Sequence, residues 1–117
     1  MSETKFEYDF PMISMNIIMP AGNARTAAMN SLDALMEGDV EKCEEELKKA
    51  KEFVKQAHKA QTDVLQSLAA RDYEGVEEPI VLPMLFVHAQ DTIMTIMSEV
   101  HLIEKMEQMY KKLTEEK

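Results

Sequence analysis

The 117-residue chain is predicted to be all-α, with three long helices in an antiparallel up-down-up bundle. Apolar residues recur at alternating steps of three and four along three stretches, which is the spacing of one helix face. No stretch alternates apolar with polar residues as a half-buried strand does. The composition agrees, since 6% aromatic residues, no Trp and 11 Met leave aliphatic and thioether side chains to fill the core. Such a core suits helices packing on helices rather than a sheet sandwich.

Residues 1–11 mix charges and aromatics without a period and end in Pro11, so they are expected to form a flexible N-terminal arm ahead of a helical domain spanning 12–117. Helix one is expected from Met12 to Glu37, with Ile17, Ala21, Ala24, Ala28, Ser31 and Leu35 on its inner face. Pro20 lies inside it and is expected to kink it or divide a first turn from the rest. Gly38 supplies a stop, and Asp39 is a good N-cap for the next helix. A reversal this short makes helices one and two antiparallel neighbours. Helix two has the cleanest seam: Val40, Cys43, Leu47, Ala50, Val54, Ala57, Gln61, Val64 and Leu68. It is expected to end near Arg71, before a polar loop over 72–79. Helix three is expected from about Pro83 to Thr114, with a seam through Leu85, Ala89, Thr92/Ile93, Ile96, Val100, Ile103, Met106/Glu107, Tyr110 and Leu113. It also carries Phe86, Val87, Met94, Met97, Leu102 and Met109, which wrap more than one face. A helix apolar nearly all round is buried on more than one side. Self-association through helix three follows, most simply as a closed ring of subunits.

A formal charge of −9 repels phosphate backbones and argues against nucleic acid as a partner. Cys43 is the only cysteine, which rules out an intramolecular disulfide and fits a reducing compartment. The start has no basic n-region, so no signal peptide is expected. The longest apolar run, Ile80 to Val87, is broken by Pro83 and is far shorter than the ~20 residues of a membrane span. A cytoplasmic chain without direct membrane insertion is expected.

Three histidines are the candidates for chemistry. His101 lies among Glu99, Glu104 and Lys105 and reads as a surface residue. His58 lies beside the helix-two seam near Gln61, where a buried polar contact is the plainer reading. His88 follows the most apolar run and shares a helix face with Asp91 at i+3, a face that Thr95 continues. That pair is either a costly polar feature on an apolar helix or a surface ion pair worth only ~0.3–0.5 kcal/mol, and spacing alone leaves both open. One His and one Asp are too few ligands for zinc, and neither HExxH nor GxSxG occurs. The three glycines are isolated, so no glycine-rich phosphate loop exists. Any phosphate chemistry must therefore be covalent, and a neutral imidazole is a competent nucleophile near pH 7.

The motifs resemble, in order, those of one family. Gly22-Asn23-Ala24-Arg25-Thr26 is similar to a Gly-x-Ala-Arg-Ser signature of helix one, and Glu37-Gly38-Asp39 to the turn after it. Ala57-His58-Lys59-Ala60-Gln61-Thr62 resembles an Ala-His-x-x-Gln-Thr of helix two, and Val87-His88-Ala89-Gln90-Asp91 an active-site signature of helix three. The family is the IIA component of the lactose/cellobiose class of the bacterial phosphotransferase system. The resemblance implies a homotrimer forming a nine-helix bundle. It implies that His88 is catalytic, accepting phosphate from the phosphocarrier HPr and passing it to a IIB component for uptake of a disaccharide. It implies that Asp91 from each of three subunits shares one divalent cation, usually magnesium. Close carboxylates repel, and a hard cation with oxygen ligands relieves that conflict. Met84, Phe86 and Val87 are candidates to line the docking groove around His88, with core packing the plainer role for any one of them. The chain departs from the family in having Thr92 where a second His usually follows the Asp, in Pro20, and in a longer stretch between His58 and His88. The alternative is a non-catalytic trimeric regulator or adaptor on the same fold.

Overall fold

The computed structural model describes residues 7–115, which form α1 (Phe10–Met36), α2 (Val40–Tyr73) and α3 (Met84–Glu115), with no strand among them. The cross-helix contacts fix the topology. Phe10 meets Phe86, Arg25 meets Glu99 and Ser31 meets Glu107, so α1 and α3 run parallel. Ser31 with Cys43, and Lys51 with Glu104, set α2 antiparallel to both. This is the up-down-up bundle, drawn out to 68 × 22 × 20 Å.

The helix ends follow from local chemistry. Asp9 caps α1 through its carboxylate, which accepts from Met12 N at 3.1 Å, and Pro11 sits in the first turn, where its missing N–H costs nothing. Phe10 and Pro11 therefore belong to the helix rather than to the expected arm; residues 1–6 of that arm lie outside the described residues. At the other end Gly38, with φ +87, lets Asp39 N reach Ala34 O at 2.9 Å and Gly38 N reach Leu35 O at 3.0 Å. Asp39 then caps α2 by accepting from Lys42 N, so one residue closes one helix and opens the next. The same motif repeats after α2, where Gly75 has φ +77 and Val76 N bonds Arg71 O. That helix runs to Tyr73, past the expected end. The buried Arg71 guanidinium donates to the Glu78 carbonyl and so ties the following loop down. Pro20 neither ends nor divides α1, which runs unbroken through it.

The core is the expected one at the centre of each helix. All six inner-face residues named for α1 are buried, and Ala89, Ile93, Ile96, Val100 and Ile103 bury against them from α3. The frequent alanines of α1 and α2 let backbones approach closely. The seams fail at their ends: Val40, Leu85, Tyr110 and Leu113 are exposed, and Phe86 is buried in place of Leu85. A second layer of polar packing sits at the opposite end of the bundle from His88. There the Ser31 hydroxyl donates to Glu107 Oε2 at 2.6 Å and lies 2.9 Å from the Cys43 carbonyl, and the Cys43 thiol lies 3.4 Å from Glu107 Oε1.

Candidate functional site

His88 stands in the second turn of α3 and is exposed. Its orientation is set by its neighbours: Phe86, Ala89 and Ile93 are buried, which turns Val87, His88 and Asp91 outward. Of the three candidates for a groove lining, Phe86 takes the plainer role of core packing: it is 2% exposed and packs on the Phe10 ring at a centroid distance of 5.0 Å. A Phe one step from the core stripe gains more by burial than by waiting for a partner. Met84 and Val87 remain exposed, with Val81, Leu82 and Leu85 nearby in sequence, so His88 is set in apolar surface.

Asp91 is also exposed, and no hydrogen bond or ion pair joins it to His88 among the described residues. The side chain that touches His88 is Thr92, whose hydroxyl donates to the His88 carbonyl at 2.7 Å and lies 3.5 Å from ring Nε2. The i+4 spacing could have disclosed this contact. Beneath the site, Gln61 Nε2 donates to Gln90 Oε1 at 3.1 Å, giving the polar member of the α2 seam its partner.

The other candidates separate cleanly. His58 is exposed, which overturns the buried polar contact expected of it. It lines a groove of ≈ 230 Å³ between α2 and α3 together with Lys51, Lys55 and His101. Cys43 is buried, and burial, followed by the neighbouring Glu107, pushes its thiol above the ordinary range, which suits a core residue rather than a nucleophile. No group of three or more His, Cys, Asp and Glu among the described residues of one chain could hold a metal. Asp91 supplies one free carboxylate, so a metal site built on it needs further copies.

The outer side of α3 supplies a reason for such copies. Asp91, Thr95, Ser98, Leu102, Met106, Met109 and Leu113 step by three and four, and all are exposed. This is a second seam, polar near His88 and apolar beyond Ser98, with nothing among the described residues of the chain to cover it. It runs beside a groove of ≈ 390 Å³ lined by Met29, Leu102, Ile103 and Met106 and bordered by the Arg25–Glu99 pair.

Residues 12–111 match the family described as the lactose/cellobiose-specific IIA subunit of the PTS system. The chain belongs to this family. Its relatives include a lactose-specific EIIA component of Lacticaseibacillus casei, 36% identical over 92% of this chain and 90% of that protein. A lichenan-specific phosphotransferase enzyme IIA component of Bacillus subtilis is 31% identical, covering 93% of this chain and 94% of its own. Among solved structures, PtcA from S. mutans superposes with a TM-score of 0.76 at 33% identity, covering 94% of this chain and 99% of that one. The protein is thus a component of a sugar phosphotransferase system and a phosphoryl carrier by family. In this IIA chain the helix-two and helix-three motifs meet through the Gln61–Gln90 bond, whereas Arg25 of the helix-one motif pairs with Glu99, well along α3 from His88. No helix among the described residues is long and apolar enough to cross a membrane.

Proposed function

We propose that His88 is the residue that carries the phosphoryl group, taking it from HPr and passing it to a IIB component during uptake of a β-linked disaccharide or short oligosaccharide. The carrying observation is that His88 is an exposed imidazole flanked by exposed Met84, Leu85 and Val87, inside the helix-three motif. Phosphoryl transfer between histidine and another nucleophile passes through a loose transition state, so alignment and charge stabilisation are what the protein must supply. A helix held on its inner side by Phe86, Ala89 and Ile93 presents the ring rigidly. Exposed Met84, Val87 and Leu85 give donor and acceptor proteins an apolar surface on which to dock in turn. A relative specific for lactose and one specific for lichenan mark the range from which the sugar comes.

The working form is a cytoplasmic homotrimer, nine helices in all, with the outer seams of three α3 helices meeting at the axis. Burial of Leu102, Met106, Met109 and Leu113 would drive the association, and Asp91 would face its two copies. The donor set fits a hard divalent cation such as magnesium: three carboxylates supply only oxygen ligands and are otherwise in mutual repulsion. The cation would neutralise that charge and hold the subunits together.

The test is incubation with phosphoenolpyruvate, enzyme I and HPr, followed by mass measurement before and after acid. One acid-labile phosphoryl group per chain is expected, absent from His88→Ala. No such group, or one retained by His88→Ala, refutes the assignment and leaves the adaptor alternative. Sedimentation that finds only a monomer refutes the trimer.

A further inference from the structure

The Thr92 hydroxyl makes two approaches to His88, 2.7 Å to the carbonyl oxygen and 3.5 Å to Nε2. The first alone is ordinary for a helical threonine, and Thr114 bonds back to Tyr110 in the same way at 2.9 Å. The second also requires the imidazole to turn its Nε2 toward the hydroxyl. We propose that Thr92 holds the phosphoryl group on Nε2 of His88 once it is there. This rests on the reading of His88 as the phosphoryl site.

A hydroxyl has one proton to give. In the resting chain that proton goes to the His88 carbonyl, which by the helical pattern already accepts the Thr92 amide, so the bond can be released without orphaning an acceptor. At 3.5 Å the hydroxyl oxygen is beyond a firm hydrogen bond to Nε2, so the Nε2 lone pair stays available in the tautomer protonated at Nδ1. In the transfer this lone pair forms the Nε2–P bond as the donor's N–P bond breaks, and that electron pair returns to the donor imidazole. Each ring keeps the proton on its other nitrogen, and the positive charge passes from the donor ring to His88. The phosphoryl oxygens, one bond beyond Nε2, then come within reach of the hydroxyl beside the ring, and the hydroxyl proton turns from the carbonyl to them. A charged oxygen is the better acceptor of the two, which sets the direction of that turn. In a loose transition state the departing group moves away from the ring and out of reach of the hydroxyl, so the bond slows loss.

Chains carrying His58→Asn and His101→Asn, so that His88 is the imidazole labelled, with Thr92 kept or replaced as Thr92→Val or Thr92→Ser, are phosphorylated with phosphoramidate, which needs no donor protein, and followed by ³¹P NMR during hydrolysis at neutral pH. Valine keeps the shape without the hydroxyl, and serine keeps the hydroxyl. The expected result is a phosphoryl group on Nε2 that Thr92→Val loses about two- to tenfold faster than the chain with Thr92 kept, the range of one ordinary net hydrogen bond, with Thr92→Ser close to that chain. A phosphoryl group on Nδ1, an unchanged lifetime in Thr92→Val, or a Thr92→Ser that behaves like Thr92→Val overturns the proposal. If the expected pattern holds on chemically labelled His88 while HPr fails to phosphorylate the chain, the Thr92 assignment stands and the carrier reading falls.

Discussion

Replacing Ser31 with Ala removes a hydroxyl that contacts Glu107 Oε2 at 2.6 Å and the Cys43 carbonyl at 2.9 Å, inside a cluster whose three residues are all buried. Glu107 is 2% exposed, and the contact left to it is the Cys43 thiol at 3.4 Å, a weak donor. The lost hydrogen bond to Glu107 is worth ~0.5–1.5 kcal/mol net, and a buried polar group left short of a partner costs ~1–3 kcal/mol. A loss of about 2–3 kcal/mol is therefore expected, a large share of the stability of a domain this small. Adding Glu107→Leu removes the group that was stranded. The double variant should recover at least ~1 kcal/mol relative to the sum of the single changes. Urea unfolding followed by circular dichroism at one fixed protein concentration measures all four corners of this cycle, since stability coupled to assembly depends on concentration. A Ser31→Ala variant within ~0.5 kcal/mol of wild type, or strictly additive single changes, would refute the reasoning.

Three further outcomes are expected. Gly38→Ala should cost ~1–2 kcal/mol because Gly38 sits at φ +87, whereas Gly22→Ala, where an added Cβ meets nothing within 4 Å, should gain ~0.5–1 kcal/mol; thermal unfolding of the two variants should shift in opposite directions. The raised Cys43 thiol favours the neutral form in the fold, so its share of stability is whole below the unfolded thiol's ordinary value and is lost as pH rises through the higher folded value. Iodoacetamide should accordingly label Cys43 only when the chain unfolds, and rapid labelling at neutral pH would contradict its burial. Asp91→Leu should abolish divalent-cation binding yet make the trimer resist dilution better than wild type without metal, as buried charges replaced by apolar side chains often do; sedimentation across a concentration series with metal analysis decides this.

The central stretches of the fold were legible because burial there follows helical spacing alone. Ile17, Ala21, Ala24 and Ala28 on α1, and Ile93, Ile96 and Val100 on α3, are apolar residues on a repeating face that any packed arrangement of these helices must bury. The ends were not. Whether Leu85 or Phe86 turns inward depends on what stands opposite, and only the placement of Phe10 beside it decides for Phe86. His58 misled for a related reason: it adjoins the seam by one residue, and a rotation of 100° per residue is enough to move a side chain from core to surface.

At the site, residue types and order within the motifs named the family and singled out His88, because covalent phosphate chemistry needs a nucleophile and this chain has few candidates. The Asp39 cap and the Gly38 stop are also local, since each concerns hydrogen bonds within a few residues of chain. What the tertiary structure alone decided is pairing across helices: Gln61 with Gln90, Ser31 with Cys43 and Glu107, Arg25 with Glu99, and the seam of α3 left without a cover. These pairs join residues distant in sequence, and no local pattern sets the rotation and height at which two helices meet. Packing sets both, and with them which polar groups find a partner inside the chain and which are left to meet one outside it.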